Sequence, residues 1–373
     1  MRFVLRENLK AGMRLARPIY NREGILLFNI GSRLTEQGIV SVNNFEIIGL
    51  YILDDAEPAP PISDEDKELE RFQIVSTAKL YSDWSKIREG RRPLYLPSLT
   101  AEIMSKFGNL DHKINFNQTI RSHGDKYYKH SLNSAILSAM ICSKLSNKTS
   151  EMKDCVTAAL LHDMGMLDIP PELRDKTEEE MSESEKKQIF VSRYKGTNFL
   201  ENKVNDMPGV RTIMSQHIRM RRMESLGKLE NEARWYPDTV KILTVACAFD
   251  RLTSMNLGKH PMSELTAIRI LRHNPDFFDT SVVTALMYSI NVMIPGCSVI
   301  LTNNESGCVL KENMYNISKP CVILYSNNDM LDLSDTKTYG TLAVKDTMKT
   351  LDNRWVVDRE FLDKYQATLK AAK

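Results

Sequence analysis

CVTAALLHDMGMLDIPPELRDK, residues 155–176, reads as a helix, a tight glycine turn and an Ile-Pro-Pro corner. Val156, Ala159 and Leu160 recur at helical spacing, so one face of this helix is buried. His162 and Asp163 fall on its last turn. Gly165, just past the pair, suits a C-cap, and Pro170–Pro171 stops the helix from resuming. Neighbouring side chains on a helix diverge by about 100°. An imidazole nitrogen and a carboxylate oxygen placed so can reach one cation from two sides. That pairing suits a borderline-to-hard divalent ion such as Mn, Fe, Zn or Mg. Taken alone, the pair is more simply a helix-end hydrogen bond, because buried polar groups need partners anyway. The surrounding sequence has to decide between the two.

The composition sets the outer bounds. A chain of 373 residues has the length for two or three domains. With 42% hydrophobic and 26% charged residues it falls in the ordinary range for a soluble globular protein. A net charge of +2 gives no global reason to expect a nucleic-acid partner. No apolar run reaches about 18 residues, so no membrane span is expected. The opening MRFVLRENLK lacks the apolar segment of a signal peptide. Six scattered cysteines without a CxxC fit free thiols in a reducing cytoplasm. A cytoplasmic location is the expectation.

The expected fold class is mainly α: a helical core with a small N-terminal α+β unit and a small β-rich C-terminal unit. Residues 1–53 hold short strand-like runs around a helix, punctuated by glycines, and read as an accessory domain. Residues 54–68 are acidic and rich in Pro, which reads as a linker. Residues 69–109 read as a helical connector, with Leu69, Phe72, Val75 and Leu80 at helical spacing. Those helices either cover the next domain or make a dimer contact. Residues 110–293 read as a succession of amphipathic helices. Residues 294–373 change character: short β-rich runs separated by Asn, Gly and Pro turns, then a terminal helix at 358–371.

Several motifs in the helical region stand together. His130-Ser131 is followed by His162-Asp163, then Ile169-Pro170, then His217. After these come VACAFDRLTS (residues 245–254) and MSELTAIRIL (residues 262–271). This order resembles the HD-GYP branch of the HD-domain superfamily over about 110–290. The resemblance implies an all-α HD-type core. Active members of that family are metal-dependent phosphodiesterases that open cyclic di-GMP to linear pGpG, and often on to GMP. Their reaction needs a centre of two or three metal ions, which activates a hydroxide and offsets phosphate charge.

Laid on this chain, the family pattern is heavily eroded. Lys126 stands where the resemblance implies a Glu ligand, four residues before His130. His162 and Asp163 keep the central pair. Met166 replaces a catalytic Lys. Ser192 replaces a His ligand, and Ile218 replaces the second His after His217. Arg219 stands where Glu usually follows, and the GYP signature falls on Ser225, Leu226 and Gly227. Cys247 replaces the Asp of the VAD motif. Asn133 and Asn256 replace phosphate-contacting arginines. Asp250 is kept, in keeping with a structural hydrogen bond.

The resemblance therefore leaves His130, His162, Asp163 and His217 as metal ligands, with Cys247 as a further one, since a thiolate binds Zn or Fe. This set is enough for one divalent ion (Fe, Mn or Zn) and lacks the carboxylates that bridge a second. The competing reading is four relics satisfied by hydrogen bonds, with no metal. Asp163 is the catalytic candidate if activity survives. Arg219, Arg221 and Arg222, with Lys228, form a basic stretch able to contact phosphate or simply a solvated face. Lys126 either pairs with Asp163 in place of a lost ion or turns to solvent, as exposed lysines usually do. The overall expectation is a degenerate HD-GYP protein that acts as a binding or interaction module. Cyclic di-GMP and another protein are its partners on this reading, with a homodimer also open, and neither membrane nor nucleic acid is expected. The alternative is a phosphodiesterase with a reduced metal site.

Overall fold

The computed structural model describes residues 2–347 apart from 22–23, 45–48, 54–62, 117, 119–120, 122–123, 175, 177–179, 202–204, 226–234, 255–260 and 314. The expected helix at 358–371 lies outside the described residues.

Short apolar-rich segments at the N-terminus pair as strands. β1 (Arg2–Leu5), β2 (Arg14–Leu15), β3 (Ile19–Tyr20) and β4 (Leu26–Phe28) precede α1 (Glu36–Asn44) and β5 (Gly49–Leu53). β5 lies between β1 and β2 in an antiparallel sheet. Val4, Leu15, Leu34, Val42, Leu50 and Ile52 close a small core of their own.

α2 (Asp64–Arg88) starts inside the stretch expected to be a linker. The acidic residues that suggested solvation are its first turn. Ser63 accepts from the Asp66 N–H and Asp66 accepts from the Ser63 N–H, a capping box. Asp64, Glu65 and Asp66 sit at the positive end of the helix dipole. α3 (Leu96–Phe107) follows. Its exposed N–H groups would be orphans, but the buried Asp83 of α2 accepts from Leu94, Tyr95 and Leu96 at 2.6–2.7 Å.

The remaining helices are α4 (Lys126–Lys144), α5 (Thr149–Leu161), α6 (Pro171–Arg174), α7 (Glu183–Asn198), α8 (Pro208–Ser225), α9 (Asp238–Thr253), α10 (Glu264–Arg272) and α11 (Thr280–Ser289). α4 is the axis of the bundle. It is buried almost without a break from His130 to Cys142, and α2, α3, α5, α9 and α11 pack around it. Leu69, Phe72, Leu80, Trp84 and Ile87 of α2 belong to the same apolar cluster as α4, α5 and α9. The Trp84 indole donates to the Leu160 carbonyl at 3.0 Å, tying α2 to the end of α5. Of the two roles open for the connector helices, the structure has them covering the bundle.

After Pro295-Gly296 the pattern turns to strands. β6 (Ser298–Leu301), β7 (Ser306–Lys311), β8 (Cys321–Leu324), β9 (Met330–Asp332), a short α12 (Thr336–Tyr339) and β10 (Val344–Thr347) follow. The five strands form one antiparallel sheet in the order β10-β6-β7-β8-β9. Leu265 of α10 packs into its apolar face with Val299, Leu301, Val309 and Val344. Among the described residues no helix is long and apolar enough to cross a membrane.

Asp83→Ala leaves three N–H groups at the start of α3 without their charged acceptor. It should destabilise the fold by about 2–3 kcal/mol. Urea unfolding should show a lowered midpoint at unchanged slope, and a midpoint equal to that of the parent chain would contradict this account.

Candidate metal centre

Four segments deliver one cluster of side chains. His130 comes from the second turn of α4, His217 from α8 and Cys247 from α9. His162 and Asp163 follow the end of α5. That helix stops at Leu161, and residues Met164–Asp168 form a tighter 3-10 turn. Gly165 is not the C-cap that the sequence suggested. A Cβ there would meet the Ser192 carbonyl oxygen at 2.1 Å, and one at Gly196 would meet the Gly165 nitrogen at 2.7 Å. The two glycines let α7 lie directly on the turn, and Ser192 Oγ seals the contact by donating to the Gly165 carbonyl at 2.7 Å.

Hydrogen bonds fix each imidazole so that its Nε2 faces the cluster as an acceptor. His162 Nδ1 donates to the Ala159 carbonyl at 2.8 Å. His130 Nδ1 donates to Asp250 Oδ2 at 2.5 Å. His217 Nδ1 lies 3.0 Å from Thr244 Oγ1, whose own hydrogen goes to the Val240 carbonyl at 2.8 Å. The His217 proton therefore sits on Nδ1. This is the arrangement in which metal-ligating histidines are held by their second nitrogen.

The facing atoms have ligand-like spacing. Cys247 Sγ is 3.4 Å from His162 Nε2. Asp163 Oδ2 is 3.7 Å from His162 Nε2 and 3.9 Å from His130 Nε2. The donors of His130, His162 and Cys247 all lie within 4.8 Å of one another. A tetrahedral site with bonds of about 2.0–2.3 Å places its donors about 3.3–3.8 Å apart. His130 Nε2 and His217 Nε2 are buried with no hydrogen-bond partner among the described residues. Relics satisfied by hydrogen bonds would not leave two buried acceptors open. The residues present fit one divalent ion. His217 flanks the group, its ring 5.6 Å from that of His162 and nearly perpendicular to it.

Lys126 does not substitute for an ion. Its Nζ donates to the Arg174 carbonyl at 3.0 Å and lies over the Tyr127 ring. The cation on Asp163 is Arg193 of α7, whose Nε donates to Oδ1 at 2.9 Å. The only sequence hint of Arg193 was a base next to Ser192, where the resemblance implies a ligand. The glycine contact carries Arg193 onto the turn.

The electrostatics follow from burial and these neighbours. Burial alone would raise Asp163, yet Arg193, His162 and His130 hold it well below the usual carboxylate range. Asp250 is likewise depressed: burial opposes the shift, while Arg121 and the His130 hydrogen bond impose it. Burial pushes His217 well below its ordinary value, with His162, Arg221 and Arg251 adding to the effect. Burial also lowers His130, against the pull of Asp250. Burial would raise the Cys247 thiol, but His162 beside it brings the value down.

The other predicted positions separate. Of the three candidate arginines, Arg221 acts on Asp163 and His217 through its charge. Arg222 lies over the Phe190 ring and Arg219 is exposed. Met166 packs with Ile169, Leu173 and Ile189. Asn133 is buried in hydrogen bonds to Asp250 and Gln73. Leu226, Gly227, Lys228 and Asn256 lie outside the described residues.

His130 and His217 are held neutral in the fold and gain a proton on unfolding near their ordinary value of 6.5. Their contribution to stability is fully present above that value and is lost as pH falls below it. Chelator-treated protein should lose up to about 1.4 kcal/mol per imidazole per pH unit between about pH 6.5 and 5. His217→Gln should flatten the slope, and a pH-independent urea midpoint across that window would refute the assignment.

No curated protein matches this sequence. Among solved structures, Bd1817, a HDG"Y"P protein from Bdellovibrio bacteriovorus, matches 76% of this chain and 97% of its own, at 13% identity and a TM-score of 0.47. Residues 127–252 match the HD domain family, a span that contains His130, His162, Asp163, His217, Cys247 and Asp250. This stretch, about a third of the chain, is what is similar to the HD domain family.

Proposed function

We propose that this chain is a catalytically impaired HD-GYP protein of bacterial cyclic di-GMP or related nucleotide signalling, and that it works in the cytoplasm as a binding and interaction module. The observation that carries this reading is the ion pair between Arg193 and Asp163. A two-ion centre needs ions about 3.5–4 Å apart, clamped by shared ligands. Here the outer oxygen of the shared carboxylate is held by a guanidinium at 2.9 Å. A second divalent ion on that side would face a fixed positive charge, and Met166 and Ser192 offer neither a base nor a ligand there.

The inner face retains what one ion needs. His130, His162 and Asp163 would hold an Fe, Mn or Zn ion, with Cys247 and His217 beside them. Bound there, such an ion supplies Lewis-acid chemistry. The chain's own groups do the positioning. Asp250 orients His130, Ala159 orients His162 and Thr244 orients His217. Cyclic di-GMP and a second protein are the partners this reading implies, with a homodimer as one form of the latter.

A second reading, a phosphoesterase with a reduced metal site, is favoured by His217. Its Nε2 is a buried neutral acceptor next to the cluster and has no hydrogen-bond partner among the described residues. Such a nitrogen suits a general base.

Cyclic di-GMP incubated with the protein and Mn, Fe or Mg separates the two. The expected result is no measurable linear product. Turnover of about 1 s⁻¹ or more, within the ordinary enzyme range, that disappears in His217→Gln would overturn the proposal and establish the second reading.

A further inference from the structure

We propose that the N-terminal unit positions the polar core of the helical bundle, and that Arg17 is the residue through which it does so. Arg17 fixes Gln118, Gln118 fixes Asp250, and Asp250 fixes the Nδ1 proton of His130. The proposal concerns a contact between units and holds whatever the cluster binds.

β5 supplies the platform. Leu50 and Ile52 belong to the N-terminal unit's own core. Tyr51 and Leu53 alternate to the other face of the strand and are 4% and 3% exposed, outside that core. Arg17, between β2 and β3, holds its guanidinium 5.4 Å from the centre of the Tyr51 ring. The chain beside it is pinned by the Ala16 N–H, which donates to the Tyr51 carbonyl at 2.8 Å. Arg17 is itself 6% exposed. A cation so buried is costly unless its donors are engaged. Its Nη1 reaches out of the unit and donates to the Gln118 carbonyl at 3.1 Å.

Gln118 does not shift alone. Its Nε2 donates to Asp250 Oδ1 at 3.1 Å and to Thr253 Oγ1 at 3.0 Å. Its Oε1 accepts from Arg121 at 2.9 Å and from Asn133 at 3.0 Å. Both polar ends of this side chain are therefore engaged in the network around Asp250. The start of the same segment is held from α11's side. The Asn291 N–H donates to the Ile114 carbonyl at 2.9 Å, and Asn291 Nδ2 donates to Asn115 Oδ1 at 3.0 Å. With Ile114 and Asn115 fixed, Arg17 governs the part that carries Gln118. Asp250 Oδ2 in turn accepts from His130 Nδ1 at 2.5 Å. A contiguous run of buried, charge-assisted hydrogen bonds is a physical route for coupling. It gives the small unit a task, since displacing it from the bundle loosens His130.

The test is solvent exchange of the imidazole protons in full-length protein carrying isotope-labelled histidine, read by NMR. The His130 Nδ1 proton is assigned by its loss in His130→Gln. Arg17→Met keeps the stem and removes the donor. It should speed exchange of the His130 proton about tenfold, the factor that one lost hydrogen bond to a charged group carries. The His162 Nδ1 proton, held by the Ala159 carbonyl, should stay within about twofold of the parent rate. Arg17→Lys should restore part of the protection, because an ammonium still donates to a carbonyl. Where Arg17→Met does not fold, Tyr51→Leu removes the ring beside the guanidinium and should show the same selectivity. Equal acceleration at His130 and His162 means general loosening of the fold and overturns the proposal. Unchanged exchange at His130 overturns it as well, as does Arg17→Lys exchanging as fast as Arg17→Met.

Discussion

The buried carboxylate of Asp250 is the interaction on which the centre of the molecule depends. It sits on α9 with no solvent exposure. Arg121 donates to both of its oxygens, Asn133 donates to Oδ1 and His130 donates to Oδ2. A charge so deeply buried is tolerated only when paired and hydrogen-bonded, and removing a partner is strongly destabilising. The network therefore ties α9, α4 and the segment before α4 into one arrangement. It also settles which nitrogen of His130 carries the proton. The same group that closes the bundle presents His130 Nε2 to the cluster, so stability and site geometry have one cause.

A second constraint is steric. Gly165 and Gly196 allow α7 to touch the turn after α5 at a separation that no side chain would permit. That contact brings Arg193 to Asp163. The carboxylate then has two unlike faces, a guanidinium on Oδ1 and imidazoles near Oδ2. An ion on the imidazole face is compatible with this division. An ion on the other face would have to displace a charge-assisted hydrogen bond, among the stronger contacts a carboxylate makes. On the proposed reading, what occupies this space disfavours a second ion as much as which ligands are missing.

Much of the site was legible in the sequence because its members lie in local patterns. His162 and Asp163 are adjacent, His130 lies on an amphipathic run, and VACAFDRLTS places Cys247 and Asp250 three residues apart on one helix face. The helical bundle and the change to strands after Pro295-Gly296 were legible for the same reason. Arg193 was not, because its role depends on a contact between two glycines that no periodicity announces. The pairing of Lys126 with Asp163, one of the two readings open for it, fails for the converse reason. Spacing of four residues puts it on the His130 face of α4, but that face near the helix start looks toward the Arg174 carbonyl. The acidic residues 64–66 looked like linker because charge count ignores the helix dipole and the capping box that make them a first turn. Arg219 and Arg222 were grouped with Arg221 by sequence proximity, though successive helical positions point in different directions.

The energetic position of the cluster argues that its residues have a use. Two buried imidazole nitrogens lack a hydrogen-bond partner among the described residues, and each such atom costs about 1–3 kcal/mol in desolvation. Together that is about 2–6 kcal/mol, a sizeable part of the 5–15 kcal/mol that separates a typical domain from its unfolded chain. Apolar residues of similar volume would remove this cost, as at the neighbouring Met166 and Ile218, both almost fully buried. The chain has apolar side chains at those two sites and keeps polar ones at His130, His162, Asp163 and His217. A bound cation reverses the sign of the term at His130, because the open acceptor becomes a ligand and binding free energy adds to folding free energy. On the one-ion reading, the polar cluster would be the part of the core whose stability depends on what it binds.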